Sequence, residues 1–269
     1  MSTLPLLIEP EQLVQHLSDD NLLIIDTCSS ANYSKQHVPS AVHIPPQSLQ
    51  CGIAPVPGKI PSPAQLSAMF SAIGLSDEKH VVVYDDEGGG WAGRLIWTLD
   101  AIGHTHYSYL NGGIHAWANE GHPIETTINN AIATEYDVTI NTRPIAEIDD
   151  IISNLDNPEF AIWDARSAAE YSGEKVLAQR GGHIPGAQNI DWLELMDRDR
   201  NMRLINLEAL QQRLNGLGLT KDKQIVTHCQ THHRSGLTYL AMKILGYTNI
   251  KGYHGSWSEW GNQSNTPIA

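Results

Sequence analysis

Short apolar runs recur along the chain and are separated by stretches of about 55 to 80 residues. Residues 22–25, 81–84, 161–163 and 224–227 are such runs, rich in apolar and β-branched side chains. Runs of this length and composition are typical of parallel strands that are buried on both faces. The pattern predicts four short, buried strands.

A helical pattern follows two of these runs. After residues 224–227, apolar side chains recur at the spacing of one helix face, and Gly246 follows at a position typical of a helix C-terminus. They are Leu237, Leu240, Ala241, Ile244 and Leu245. Leu95, Leu99 and Ile102, followed by Gly103, repeat the pattern earlier in the chain. Alternating strands and helices predict an α/β fold, with parallel sheets flanked by helices and ligands at the carboxyl ends of the strands.

The pattern is present twice. At a constant offset of 143 residues, Gly93 aligns with Gly236 and Gly103 with Gly246, while HVPSAVHIP upstream resembles HIPGAQNI. The second copy has eight more residues between Tyr171 and His183 than the first copy has between Tyr33 and His37. The repeat predicts two homologous domains, residues 1–124 and 145–269. Residues 125–144, rich in Thr and Asn, are the predicted linker.

Charge and cysteine content narrow the function classes. The net charge is −13 and the sequence pI is about 5.3, which disfavours binding to nucleic acid or to anionic membranes. No apolar run approaches the roughly 18 residues of a membrane span, and the first residues do not resemble a secretory signal. Three cysteines do not make a disulfide framework. We therefore expect a cytoplasmic protein with no nucleic acid or membrane partner.

The segment HCQTHHRS carries the candidate chemistry. Cys229 follows a predicted strand, and a helix is predicted to begin near Ser235. Unpaired N–H groups and the partial positive charge of a helix N-terminus favour an anion there. Arg234 adds a positive charge, so the thiol pKa of Cys229 should fall and the nucleophilic thiolate should be favoured.

Other readings of these residues stay open at this stage. Cys229 can instead be a buried structural thiol. His232 and His233 either belong to the site or are exposed loop histidines. Neither a metal nor a cofactor is expected, because no cluster of ligands has metal-binding spacing. Cys28 and Cys51 lie outside the segment and are interpreted as a core residue and a loop residue.

The whole chain resembles the two-domain rhodaneses, which are thiosulfate:cyanide sulfurtransferases. The resemblance rests on the tandem repeat, on HVPSAVHIP and HIPGAQNI, on the C-terminal GYHGSWSEW, and on the cysteine in the second copy. The string CQTHHR resembles the active-site loop of a bacterial rhodanese variant. The resemblance implies two tandem rhodanese-like domains, each with a parallel sheet flanked by helices.

The resemblance also implies a mechanism and a set of site residues. Cys229 would take sulfur from thiosulfate as a persulfide and pass it to cyanide, to another thiophilic acceptor or to a sulfur-acceptor protein. The substrate would be bound by the residues that follow the cysteine, with Arg234 at the sulfonate of the donor. They are Gln230, Thr231, His232, His233 and Arg234. Thr231 and Glu170 stand where some family members have basic donor-binding residues, so donor binding should differ here. Arg166 is expected to be structural, pairing with Asp164.

The first copy should be catalytically silent. At the offset of 143, Asp86 stands opposite Cys229 and Glu87 opposite Gln230. A carboxylate cannot form a persulfide, and two acidic side chains would repel an anionic donor. The first domain is therefore predicted to be inactive.

Three alternative functions remain at the level of the sequence. One is a 3-mercaptopyruvate sulfurtransferase, which differs only in its donor. Another is a sulfur carrier that is loaded and unloaded by protein partners. The third is a cysteine-dependent phosphatase, although such enzymes have five residues between the cysteine and the arginine, where this chain has four. No interface stripe is evident, so a monomer is expected.

Overall fold

The computed structural model describes residues 4–269, which form two compact units. Unit 1 comprises the chain up to Leu49, Pro61–Asn141 and Met196–Leu204, and unit 2 comprises Gln50–Ile60, Thr142–Leu195 and Ile205–Ala269. The domain limits at residues 124 and 145 stay a prediction. The first three residues of the first predicted domain lie outside the described residues.

Strands and α-helices alternate along the chain, except that three strands follow one another between residues 188 and 204. The first half contains β1 (Leu7–Ile8), α1 (Pro10–Leu13), β2 (Leu22–Asp26), α2 (Ser30–Lys35), β3 (Val42–His43), α3 (Pro63–Ala72), β4 (His80–Tyr84), α4 (Gly90–Ala101), β5 (Tyr107–Leu110) and α5 (Gly113–Asn119). The second half contains β6 (Ile145–Ala146), α6 (Ile148–Ile152), β7 (Phe160–Asp164), α7 (Ala168–Tyr171), β8 (Gln188–Asn189), β9 (Met196–Asp197), β10 (Arg203–Leu204), α8 (Leu207–Gly216), β11 (Gln224–His228), α9 (Arg234–Ile244), β12 (Ile250–Tyr253) and α10 (Ser256–Trp260).

Each unit is built on a five-stranded parallel sheet. The strand order is β1-β5-β4-β2-β3 in unit 1 and β6-β12-β11-β7-β8 in unit 2. The four predicted strands are β2, β4, β7 and β11, and all of them lie inside these sheets. The predicted α/β class with two parallel, helix-flanked sheets is therefore confirmed.

Burial explains why these short runs form strands. Val82 of β4 and Val226 of β11 are fully buried in the cores of their own units, together with residues of the flanking helices. Burying apolar side chains of this size contributes about 1.5–3 kcal/mol each. The helices end as predicted, because Gly103 and Gly246 both have positive φ angles, which glycine adopts without strain.

Each unit includes a segment from the other half of the chain. The antiparallel hairpin β9–β10 belongs to unit 1, where Arg203 forms ion pairs with Glu9 (2.9 Å) and with Glu120. Gln50–Ile60, here called the hook, belongs to unit 2, where Lys59 lies 3.1 Å from a carboxylate oxygen of Glu147. These long-range contacts tie each unit together across distant parts of the sequence.

No helix within residues 4–269 has the length and apolar character needed to cross a membrane.

Candidate active site at Cys229

Cys229 lies at the carboxyl end of β11, the central strand of the unit 2 sheet. β11 pairs with β12 on one side and with β7 on the other. Residues 229–233, here called the Cys229 loop, connect this strand to α9, which begins at Arg234. The side chain of Cys229 is buried. The predicted order of strand, cysteine, loop and helix is confirmed, and it aims the N-terminus of an 11-residue helix at the loop.

The surroundings of Cys229 favour a thiolate. Burial alone would raise the pKa of the thiol. The positive charge of Arg234, hydrogen bonds from the side chain and backbone N–H of Ser235, and the backbone N–H of Thr231 outweigh burial and lower the pKa below its ordinary value. The Ser235 amide belongs to the first turn of α9, where N–H groups have no partner within the helix. These contacts favour the thiolate form of Cys229, as the predicted role of a nucleophile requires.

Arg234 is held by a carboxylate that the sequence did not connect with it. Its two terminal nitrogens donate to the two carboxylate oxygens of Glu170, at 2.7 and 2.8 Å. Glu170 is buried, and burial would raise its pKa. The hydrogen bonds and charge of Arg234 nevertheless lower that pKa to about 2. Burial also works against the charge of Arg234, but the pair with Glu170 and the nearby Cys229 raise the pKa of the guanidinium. The two parallel hydrogen bonds to Glu170 fix the orientation of the guanidinium beside Cys229.

The C-terminal motif GYHGSWSEW, residues 252–260, makes hydrogen bonds with the backbone of the Cys229 loop. The backbone N–H of Trp257 donates to the carbonyl of Cys229 at 3.0 Å, and that of Ser258 donates to the carbonyl of Gln230 at 3.0 Å. The hydroxyl of Ser256 accepts from the N–H of Cys229 at 3.3 Å. Ser256 has a φ of 51°, a left-handed conformation that is unusual for serine. The motif therefore serves to orient the peptide groups next to the cysteine.

A buried charged pair lies beneath the loop. Arg166 donates to both carboxylate oxygens of Asp164, at distances of 2.6 to 3.0 Å, and its guanidinium stacks on the ring of Trp257. The expected pairing of Arg166 with Asp164 is confirmed. His228 lies 3.5 Å from Asp164. Burial lowers the pKa of His228 to about 4, with Asp164 opposing that shift and Arg166 adding to it, so the imidazole is neutral near pH 7.

The structure places the other predicted site residues around the loop. The side-chain amide of Gln230 donates to the carbonyl of Leu177 at 3.1 Å. His232 is buried, which excludes the exposed alternative for it, and its Nδ1 lies 2.7 Å from the hydroxyl of Ser235. His233 is half-buried, with its ring centroid 5.5 Å from that of Trp192. A direct role of these side chains in substrate binding stays a prediction.

Three residues of the site were not predicted from the sequence. Ser235 contacts the sulfur, Glu170 orients Arg234, and Ser256 bonds the amide of Cys229. The sequence did contain a signal for the unusual backbone at Ser256. The residue that aligns with it in the first copy, at the offset of 143, is Gly113, and a glycine indicates a position where the backbone can be left-handed. Glu170 carried no such signal, since it lies 64 residues from Arg234 in the chain.

The corresponding loop of unit 1 contains Asp85 at the position of the cysteine. Strand pairing shows which residues of the two loops correspond. Tyr84, the last residue of β4, pairs with Asp26 at the end of β2, and His228, the last residue of β11, pairs with Asp164 at the end of β7. The first residue after each strand is therefore Asp85 and Cys229, and the predicted match with Asp86 was wrong by one residue. The error arose because the offset of 143 was taken from glycines beyond the loop. The acidic character that was predicted for this position is retained.

A family comparison agrees with this architecture. The family model described as a rhodanese-like domain matches residues 9–120 and 147–263. The chain belongs to the rhodanese family. The two matched segments show that the repeat seen in the sequence consists of two rhodanese-like domains.

Individual rhodanese relatives cover almost the whole chain. A thiosulfate sulfurtransferase of Azotobacter vinelandii is 48% identical over 99% of this chain and 98% of its own length. One from Pseudomonas aeruginosa is 46% identical over the same shares. Among solved structures, SseA from Escherichia coli, a 3-mercaptopyruvate sulfotransferase, is 26% identical with a TM-score of 0.83, covering 94% of this chain and 99% of its own.

No group of three or more His, Cys, Asp or Glu side chains between residues 4 and 269 is placed to hold a metal ion.

Proposed function

We propose that this chain is a thiosulfate sulfurtransferase that carries the transferred sulfur as a persulfide on Cys229. The observation that carries the proposal is the position of the buried Cys229 thiol, between the end of β11 and the N-terminus of α9, where Arg234, Ser235 and the Thr231 amide surround the sulfur. Two thiosulfate sulfurtransferases that are 46 and 48% identical over nearly the full chain support thiosulfate as the donor.

The proposed first step is nucleophilic attack by the Cys229 thiolate on the outer sulfur of thiosulfate. A sulfur–sulfur bond forms at Cys229, the sulfur–sulfur bond of thiosulfate breaks, and sulfite leaves with the electron pair. The product is a persulfide anion on Cys229. Loop amides of residues 230–234, the side chain of Ser235 and the charge of Arg234 stabilise this anion, as preorganised donors stabilise an oxyanion.

The second step returns the enzyme to its starting state. Cyanide or another thiophilic acceptor attacks the outer sulfur of the persulfide. With cyanide, a carbon–sulfur bond forms, the sulfur–sulfur bond to Cys229 breaks, and thiocyanate leaves while the thiolate is restored. The cycle is a ping-pong double displacement. A sulfur-acceptor protein would enter at this step in the same way as a small acceptor.

Donor binding must use the residues around this loop. Both terminal nitrogens of Arg234 already donate to Glu170. We therefore propose that the positive charge of Arg234 attracts the sulfonate of thiosulfate while these two hydrogen bonds are kept. Gln230, Thr231, His232 and His233 are proposed to complete the binding site through the loop backbone. The string CQTHHR is proposed to mark a bacterial type of rhodanese.

We further propose that the protein works in the cytoplasm as a monomer. Cys28, Cys51 and Cys229 are all free thiols, which fits a reducing compartment. Light scattering of the purified protein should give the mass of one chain, 29.6 kDa.

Intact-mass measurement tests the proposed cycle. The purified protein is incubated with thiosulfate, separated from excess donor, and weighed before and after the addition of cyanide. One added sulfur atom, mapped to Cys229 and released as thiocyanate, is expected for the wild type. The Cys28→Ala variant should behave in the same way, whereas Cys229→Ser should take up no sulfur. Loading from mercaptopyruvate alone, or from a protein donor alone, would overturn thiosulfate as the substrate.

A further inference from the structure

Three successive carbonyl groups of the Cys229 loop are each bonded by a donor outside the loop. Trp257 and Ser258 bind the carbonyls of Cys229 and Gln230 through their backbone N–H groups, as described above. The third carbonyl, that of Thr231, accepts from the side-chain amide of Gln50 at 3.1 Å. Gln50 is the first residue of the hook and belongs to unit 2.

These bonds determine which way the loop amides face. In a trans peptide the carbonyl and the following N–H point in opposite directions. A carbonyl that is held by a donor outside the loop therefore turns the next N–H toward the inside of the loop. Trp257 and Ser258 act in this way on the N–H groups of Gln230 and Thr231. Gln50 acts on the N–H of His232.

The peptide that Gln50 holds is the one most in need of support. His232 has a φ of 57°, a left-handed conformation that non-glycine residues seldom adopt. A strained backbone persists only where its surroundings fix it. The other two carbonyls accept from backbone groups of the C-terminal motif, whereas that of Thr231 accepts from the side chain of Gln50, which a single substitution can change.

Contacts along the rest of the hook hold it close to the Cys229 loop, so that Gln50 can reach Thr231. A side chain at Gly58 would bring its Cβ within 2.5 Å of the Thr231 carbonyl oxygen, so only glycine allows the hook backbone to approach so closely. The N–H of Ile60 donates to Nδ1 of His254 at 3.1 Å. Lys59 lies 3.1 Å from carboxylate oxygens of both Glu147 and Glu259.

We propose that Gln50 is a positioning residue for sulfur transfer, which holds the peptide between Thr231 and His232 so that its N–H faces the sulfur on Cys229. This inference rests on the proposed function of Cys229 as the persulfide carrier. It adds a residue from the first half of the chain to the machinery of the second repeat. Removing the Gln50 amide takes away one hydrogen bond that fixes this peptide, so its N–H would be held less firmly toward the sulfur.

The Gln50→Met variant tests the proposal, because methionine retains the shape of the side chain and removes the donor. Gln47→Met, an exposed glutamine three residues earlier, is the matched control. Alkylation of Cys229 is followed against pH by peptide mass, and kcat/KM is measured with thiosulfate. In Gln50→Met the alkylation midpoint should move to higher pH, and kcat/KM should fall about three- to tenfold, the scale of one hydrogen bond. Gln47→Met should leave both unchanged.

Gln50→Glu should raise the alkylation midpoint and lower kcat/KM more than Gln50→Met does. Its carboxylate has no N–H to donate and would repel the Thr231 carbonyl oxygen. An alkylation profile of Gln50→Met that superimposes on that of the wild type would overturn the proposal, even if the variant were less stable to heat. The alkylation midpoint does not depend on the donor. A wild type that takes up no sulfur from thiosulfate would therefore reject the proposed function, while a shifted midpoint would still support the role of Gln50.

Discussion

The loops that follow β4 and β11 each join a strand to a helix through five residues, but they carry different side chains at the strand end. In unit 1, the carboxylate of Asp85 accepts four backbone N–H bonds, from Glu87, Gly89, Trp91 and Ala92, at 2.8 to 3.1 Å. In unit 2, the sulfur of Cys229 receives the amides of its own loop and helix. In unit 1 the loop amides thus bind a carboxyl group of their own loop, whereas in unit 2 they face the sulfur of Cys229.

Neighbouring charges account for much of the difference. Arg234 begins α9 in unit 2, whereas Gly90 begins α4 in unit 1, next to the acidic residues Asp86 and Glu87. Cys28, in the core of unit 1, shows what such surroundings do to a thiol. Burial raises the pKa of Cys28, and the charges of Asp26 and Asp86 raise it further. In unit 2 the positive charge of Arg234 is the largest of the contributions that lower the pKa of the buried Cys229 thiol.

The largest effect is expected from giving the second loop the residue of the first. Cys229→Asp should abolish sulfur transfer, because a carboxylate cannot form a persulfide. The fold should be retained, since unit 1 already accommodates a carboxylate at this position. Thiocyanate formation and a thermal melt measure the two outcomes. Cys229→Ser is the control for loss of the thiol alone. Transfer above the rate without enzyme in either variant would contradict the role of Cys229.

The sequence was sufficient for the strands and for the position of the cysteine, for local reasons. Buried parallel strands are written as short apolar runs, so β2, β4, β7 and β11 were found within one residue of their ends. The pair of Glu170 with Arg234 and the contact of Gln50 with Thr231 were not found. Both depend on packing between distant segments, and no local periodicity records it. The exchange of the hook and of the hairpin β9–β10 between the units escaped prediction for the same reason.

The second prediction concerns the charge that distinguishes the loops. Arg234→Met removes the cation beside Cys229 and leaves the buried carboxylate of Glu170 without its charged partner. Thiol alkylation at pH 7 should slow at least about tenfold, which corresponds to a pKa rise of one unit or more. Breaking a buried ion pair from one side should also cost about 3–5 kcal/mol of the free energy of unfolding. Alkylation rates and urea unfolding measure these effects. An unchanged alkylation rate would contradict the electrostatic role of Arg234.

Glu170→Gln separates charge from orientation in the same pair. It removes a negative charge near the sulfur, so the thiol pKa should fall further, whereas the loosened guanidinium should lower kcat. The two variants should therefore shift the alkylation midpoint in opposite directions. The pKa of Glu170 is about 2 in the folded protein, below its ordinary 4.5. Its stabilising contribution is therefore complete above pH 4.5 and is lost as the pH falls toward 2. Urea unfolding of Glu170→Gln should depend less on pH in that interval.

The smallest effect on activity is expected from the loop of unit 1. Asp85→Asn keeps the shape of the side chain but replaces one acceptor oxygen by an NH₂ group, which would face two of the four backbone N–H donors. Buried donors without acceptors should cost about 2–4 kcal/mol of the free energy of unfolding. Persulfide loading at Cys229 should stay at the wild-type level below the melting temperature. Glu87→Gln, which changes the same charge on an exposed side chain, should alter stability by less than about 0.5 kcal/mol. Equal unfolding curves for the two variants would show that the carboxylate of Asp85 does not hold its loop together. A loss of loading in Asp85→Asn alone would show that unit 1 takes part in sulfur transfer.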